Sequence, residues 1–207
     1  MRYLNIMVAG HELALPVLEV MGIVARPRLE SVPGLPDGVR GVTLFRDRVV
    51  PVIDTTHYLW QEVHEYGDRL CAVIVEVFAG KEITCHGHLD CSVTKCPAYG
   101  SSDRRCWLFS GTFCRNSVQG SHYDKIEACR ACSYYQLMHR EALHPVGLLF
   151  DGTAEILDGD LEQPPEFPGE ARTARISLLG LCRSGETTVP VIDTQTLCRP
   201  FAGGAVA

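Results

Sequence analysis

The 207-residue sequence has no apolar run approaching the roughly 20 residues that a membrane-spanning helix requires, so no direct membrane insertion is expected. It also lacks a concentrated stripe of Lys and Arg. Net charge is −6, and the most basic segment, Lys81–His144, holds eight basic and six acidic residues, which makes it +2 and the remainder −8. That bias is too weak for a phosphate-backbone partner, and no nucleic acid is expected. A Gly-rich phosphate loop, a nucleophile elbow and kinase motifs are absent as well, so an enzyme is not expected. The opening Met1–Glu12 has only a short apolar run, broken by Asn5, with no convincing cleavage site. It reads as a first strand rather than a signal peptide, and a cytoplasmic chain is expected.

What the chain does have is a repeat. Val-Pro-Val-Ile-Asp-Thr occurs at Val50–Thr55 and again at Val189–Thr194, 139 residues on. Two related half-domains are one reading, and convergent strand composition is the other. Val-x-Val with an adjacent Pro suits a strand carrying its Pro at an edge or near its start. Asp54 and Asp193 are expected to cap the turns that follow, rather than to act as paired catalytic carboxylates. Between the copies lies Lys81–His144, which holds seven of the ten cysteines. In a cytoplasmic chain these point to metal or redox chemistry, not to a disulfide scaffold.

Outside that block, strand patterns dominate. Tyr3–Ala9, Leu13–Val20, Leu70–Phe78, Pro145–Phe150, Thr153–Leu157, Ile176–Cys182 and Thr188–Ile192 all read as strands, and Val39–Phe45 with Arg48–Ile53 reads as a hairpin turning at Arg46-Asp47. Asp158–Glu170, Pro-rich and acidic, reads as a loop. Leu70–Phe78 and Pro145–Phe150 would form an ordinary hairpin if the cysteine block were removed. Many short strands with closely spaced turns predict a mainly β protein of barrels or a sandwich.

Four segments resemble the CheW-like family of chemotaxis coupling proteins. They are Ala14-Leu15-Pro16-Val17; Val32–Pro36 leading through Val39–Val42 to Arg46 and Val50–Asp54; Val146–Asp151 with Glu155-Ile156-Leu157; and Leu179-Gly180-Leu181 with Val189–Asp193. The resemblance spans about 145 residues and leaves Lys81–His144 as surplus. It implies a pair of small five-stranded β-barrels around a shared core, with the cysteine-rich, mostly loop and helix segment inserted in a hairpin. The expected organisation is therefore 1–80 and 145–207 as the two parts of a CheW-like domain, and 81–144 as an inserted metal- or iron–sulfur-binding module. The resemblance further implies a non-catalytic adaptor that joins a chemoreceptor to a chemotaxis-type histidine kinase. Arg46 then becomes the candidate partner-binding residue, although it stands in Leu44-Phe45-Arg46-Asp47 where the family usually has Asn-Leu-Arg-Gly.

In the block, only Cys129 and Cys132 have the tight two-residue spacing of metal knuckles. The gaps from Cys91 through Cys96, Cys106 and Cys114 to Cys129 are of four, nine, seven and fourteen residues. With so few aliphatic residues, these loops need something to gather around. From Asp124 onward the chain reads as one helix, which would place Cys129 and Cys132 on one face and, if in its first turns, would favour thiolates. Trp107, Phe109, Phe113, Tyr134 and Tyr135 could shield a site or form a small core. The segment from Cys91 to about Leu137 is similar to the cysteine module called the two-CW domain, through Lys95–Tyr99, Cys106-Trp107, Gly111-Thr112, Cys114, Gln119-Gly120, Cys129, Cys132 and Tyr134-Tyr135. The favoured ligands are Cys96, Cys114, Cys129 and Cys132, followed by Cys106 and then Cys91. An iron–sulfur cluster, [4Fe–4S] for choice, ranks ahead of zinc, and metal-free thiol chemistry follows. A module that senses redox state or oxygen is the leading expectation. The alternatives are a zinc-stabilised interaction module and a thiol oxidoreductase using Cys129 and Cys132. Cys71, Cys182 and Cys198 read as small apolar residues in or beside strands.

Overall fold

The computed structural model describes residues 1–80, 83–101, 103–114, 117–152, 154–163 and 178–202. The chain divides into two compact units: unit 1 is Met1–Phe78 with His144–Ala207, and unit 2 is Ala79–Leu143. No helix among the described residues is long and apolar enough to cross a membrane.

Unit 1 is built from strands. In chain order they are β1 (Arg2–Val8), β2 (His11–Pro16), β3 (Val20–Ala25), β4 (Val39–Phe45), β5 (Arg48–Ile53) and β6 (Leu70–Phe78). After the two-residue strands of unit 2, β7 (Phe113–Cys114) and β8 (Ser117–Val118), come β9 (Leu143–Asp151), β10 (Ala154–Asp158), β11 (Asp160–Glu162), β12 (Leu178–Ser184) and β13 (Thr187–Ile192). One sheet has six strands in the order β10-β1-β2-β13-β12-β11, and the other has five in the order β3-β6-β9-β5-β4.

The expected pair of five-stranded barrels is thus corrected in strand number and in closure, since both sheets are open ladders. Each nevertheless curls around a core of its own. Tyr3, Ala14, Cys182, Val189 and Val191 fill the first, and Val50, Val52, Ala72, Ile74 and Leu149 the second. A larger core is shared by both sheets and includes Ile6, Leu15, Ile53, Val75, Leu148 and Ile192.

The two hexapeptides do the same structural work. Strand periodicity sends Val50 and Val52 into one sheet's core and Ile53 into the shared core; Val189, Val191 and Ile192 repeat the division. Each copy is the second arm of an antiparallel hairpin, bulged at Gly41 or Gly180 in the first arm. Each also meets a parallel neighbour at a small residue, Val52 opposite Gly147 and Val191 opposite Ala14. At Gly147 a Cβ would stand 3.0 Å from Val52 Cγ2, so the close approach depends on the missing side chain. Both copies end in the expected cap. Asp54 Oδ1 accepts from the His57 N–H at 3.1 Å to start α1 (Thr55–Trp60), and Asp193 Oδ1 accepts from the Thr196 N–H at 3.0 Å to start a second short helix, Thr194–Cys198.

Two sequence expectations need amending here. Asp160–Glu162, expected in a loop, is strand β11, because it pairs with Leu181–Arg183 in spite of its acidic composition. The strand expected at Ile176–Cys182 begins, among the described residues, at Leu178, and its first two positions lie outside them.

Unit 2 is helical and irregular. Its helices are α2 (Cys85–His88), α3 (His122–Arg130) and α4 (Ser133–Leu137), with a 3-10 turn at Cys106–Leu108 and a π-type turn at Met138–Ala142. The helix expected from Asp124 to the end of the block is therefore interrupted. Ala131 closes α3, and Cys132 has extended backbone (φ −86°, ψ 128°) as it precedes α4. The first and last residues of the unit lie together: the Ala79 N–H donates to the Ala142 carbonyl at 2.8 Å, and a Cβ on Gly80 would stand 3.0 Å from the Ala142 Cα.

Candidate functional site

Arg46 occupies the hairpin turn of unit 1. Arg46 and Asp47 both have positive φ (46° and 63°), the pattern of a two-residue turn whose twist matches the flanking strands. Arginine is an uncommon choice there, because a Cβ disfavours left-handed backbone. Its side chain is exposed; Nη2 donates to the Met21 carbonyl at 3.2 Å, and the guanidinium lies 5.0 Å from the centre of the Phe45 ring. Beside it, Leu44 and Val49 face each other across the hairpin and are 66% and 65% exposed. A solvent-facing apolar pair next to an immobilised cation has the composition of a small docking surface.

The second candidate lies in unit 2. A cavity of about 620 Å³ is lined by all seven cysteines of that unit: Cys85, Cys91, Cys96, Cys106, Cys114, Cys129 and Cys132. The sulfurs come from separate pieces of chain. Cys85 opens α2, where the Thr84 hydroxyl accepts from the Gly87 N–H at 3.1 Å. Cys96 sits in a turn (Tyr99 N–H to Cys96 carbonyl, 2.9 Å), and its Sγ accepts from the Phe113 N–H at 3.5 Å. Cys106 begins the 3-10 turn, and Cys114 lies on β7 with its thiol donating to Thr112 Oγ1 at 3.5 Å.

Cys129 lies in the last turn of α3 and Cys132 just before α4. They are on different helices, which corrects the expected single face at the start of one helix. At Cys129 the helix dipole opposes a thiolate rather than favouring one. Among the described residues, no three His, Cys, Asp or Glu side chains gather tightly enough to hold a single metal ion.

The thiols affect one another's ionisation. A hydrogen bond with Cys106 holds the Cys85 thiol down at about 7, against the opposing effect of burial. The same bond pushes the Cys106 thiol up, assisted by burial and by the nearby sulfurs of Cys85, Cys114 and Cys129. Burial raises the Cys129 thiol too, with Lys125 pulling the other way.

Aromatic side chains form much of the surrounding structure. Trp107 is 3% exposed and packs edge-on to Tyr135 at 5.0 Å between centroids. Tyr134 is fully buried, and its hydroxyl is within hydrogen-bond distance of the Ile83 and Arg104 carbonyls, at 3.1 and 2.9 Å.

Sequence reasoning missed two residues of this cavity. Cys85 precedes the segment that resembles the two-CW module; its only local signal was Thr84 as a helix cap. Lys125 is 1% exposed and lines the cavity with the thiols. Its position four residues before Cys129 was the available clue, since that spacing puts both on one helix face.

The sequence pattern of the CheW-like domain family matches residues 2–85. Over that segment the chain is similar to the CheW-like domain. The match takes in β1 to β6 of unit 1 and ends at Cys85, the first cysteine of the cavity. Among solved structures, the scaffolding protein TtCheW from Thermoanaerobacter tengcongensis is similar, with a TM-score of 0.55 and 14% sequence identity over 95% of this chain and 90% of that one. At that identity the likeness is one of fold, and the mainly β architecture is CheW-like. No curated protein matches the chain.

Proposed function

We propose that this chain is a non-catalytic coupling adaptor of the chemotaxis type, acting in the cytoplasm to join a chemoreceptor to a chemotaxis-type histidine kinase, and that its unit 2 holds a thiolate-ligated metal group. The adaptor reading rests on the similarity to the CheW-like domain, and the exposed Leu44–Val49 pair beside Arg46 offers a surface for a partner. Replacing Arg46 by Ala should weaken assembly with receptor and kinase by on the order of 1–3 kcal/mol, the worth of a desolvated charge-assisted contact. Stability should change by less than about 0.5 kcal/mol, because the side chain is exposed. Unchanged kinase coupling in a reconstituted receptor array would remove Arg46 from the interface.

The metal reading is carried by the convergence of seven cysteines on one cavity. Soft sulfur donors in that number suit zinc or iron–sulfur chemistry. A lone tetrahedral zinc would draw four sulfurs to within about 4 Å of one another. The scattered origin of these thiols and the size of the cavity favour a larger group that bridges them, and an iron–sulfur cluster ranks first. When bound, it would supply one-electron redox chemistry. Four thiolates, Cys96, Cys114, Cys129 and Cys132 for choice, would hold it, with Cys106, Cys91 and Cys85 beside them in the same cavity, while Trp107 and Tyr135 would limit water at its edge. The Phe113 N–H on the Cys96 sulfur is the kind of contact that tunes such a centre.

Loss or oxidation of the cluster would loosen unit 2, whose chain connections run directly into β6 and β9. We take that as the route by which redox state or oxygen reaches the adaptor. Anaerobically purified protein should be brown and contain iron and sulfide; zinc alone would leave a docking module without sensing. Equal affinities for receptor and kinase with the cluster oxidised, reduced and removed would leave a structural site only. The thiol oxidoreductase reading is weaker, since Cys129 closes one helix and Cys132 precedes another.

A further inference from the structure

Lys125 is 1% exposed, in a cavity lined by seven thiols, by the neutral polar side chains of Ser92, Thr112, Ser117, Gln119 and Ser133, and by one carboxylate, the exposed Asp90. Its Nζ donates to the Cys106 carbonyl at 2.9 Å, to the Phe109 carbonyl, and to Thr112 Oγ1 at 2.9 Å. All three acceptors are neutral, and no carboxylate pairs with it among the described residues. A buried ammonium without a counter-charge is strongly destabilising, so a chain that keeps one there has negative charge close by.

The geometry says where that charge would be. Cys129 lies one helical turn from Lys125 on α3, and Cys106 offers its own carbonyl to Nζ. Cys114 donates to the same Thr112 hydroxyl that accepts from Nζ. One ammonium thus ties the helix that carries Cys129 to the backbone of Cys106 and to the hydroxyl that Cys114 bonds.

We propose that Lys125 is the fixed counter-charge and positioning residue of an anionic, thiolate-held cluster in this cavity. The inference rests on the metal reading above and specifies the electrostatics of that site. Four thiolates around a [4Fe–4S] core leave a net negative charge, which grows by one unit on reduction. A cation held beside them favours the reduced state, and a neutral group of similar size does not.

The test uses the full chain, loaded anaerobically with ferrous iron and sulfide, as wild type, Lys125→Met and Lys125→Arg. Iron content, midpoint potential and hydrogen exchange of α3 are measured, with and without metal. Lys125→Met should be harder to reduce, its reduced-to-oxidised ratio falling at least tenfold at fixed potential, a 59 mV displacement for one electron. If it takes up no iron while α3 keeps its metal-free protection, the counter-charge is likewise supported. Lys125→Arg should stay near the wild-type potential. Equal iron and equal potential in Lys125→Met would overturn the proposal. So would equal loss of α3 protection in Lys125→Met with and without metal, the signature of a lysine that only ties loops together. Wild-type protein that takes up no iron would instead overturn the cluster reading, and would do so before any variant is compared.

Discussion

The cysteines of unit 1 and those of unit 2 differ in surroundings more than in exposure. Cys182 and Cys198 are fully buried, one in the core of the six-stranded sheet and the other in the core shared by both sheets, and burial raises both thiols above their ordinary range. Each belongs to a buried apolar cluster that holds no second buried cysteine, where it serves as a small apolar residue. In unit 2 seven thiols share one cavity with a buried ammonium, and the buried apolar residues described there are few and include Trp107, Tyr134, Met138 and Leu143. A cysteine becomes a candidate donor through its company. Burial alone says little.

The comparison is broken most severely by removing metal. If unit 2 holds the proposed cluster, stripping it with a chelator should sharply lower hydrogen-exchange protection across unit 2, with α3 keeping the largest remainder, and leave unit 1 protected; linkage for a thiolate-held structural metal is on the order of 10 kcal/mol. Unaltered protection in both units would mean that unit 2 folds on its aromatic side chains alone.

Next in size are the twin isoleucines of the hexapeptides. Ile53→Ala and Ile192→Ala both truncate the shared core, and each should destabilise unit 1 by about 2–5 kcal/mol in denaturant unfolding. Effects of unequal size would show that the two copies carry different shares of that core. The caps sharpen the same point at smaller scale. Asp193→Ala should cost about 1 kcal/mol, and Asp54→Ala more, because Asp54 is buried and its second bond, from the Tyr66 hydroxyl at 2.9 Å, is partly buried, whereas the Thr196 hydroxyl reaches Asp193 on the exposed side. The smallest change is expected from excision. Joining β6 to β9 through a short Gly-containing turn should leave the cooperative unfolding of unit 1 intact, as measured by circular dichroism.

Where one local signal determined the outcome, the sequence was readable. Val39–Phe45 and Arg48–Ile53 were legible as hairpin arms because alternation and a two-residue turn agree. Asp54 and Asp193 were legible as caps because each follows a buried strand and precedes Thr. Long-range pairing was not readable. The parallel meeting of β13 with β2 depends on Ala14 being small where Val191 approaches, and β11 exists only because Leu181–Arg183 lies beside it. In unit 2, tertiary packing overrode local propensity: a segment with helical composition breaks at Ala131-Cys132. Which sulfurs would meet was only partly visible, since loops bring Cys85 into one cavity with Cys106, Cys114, Cys129 and Cys132, far along the chain. Lys125 was hidden because a lysine in a helix is ordinarily solvent-exposed.

The backbone bond between Ala79 and Ala142 has a consequence for how such a protein can arise. A segment whose two ends emerge side by side, a strand spacing apart, asks of its host only an interrupted hairpin loop. It can be acquired by one recombination event, lost by another, and exchanged for a different cargo while the host strands keep their register. The close fit of Gly80 against Ala142 marks the seam, and any hairpin able to accept that seam is a potential recipient.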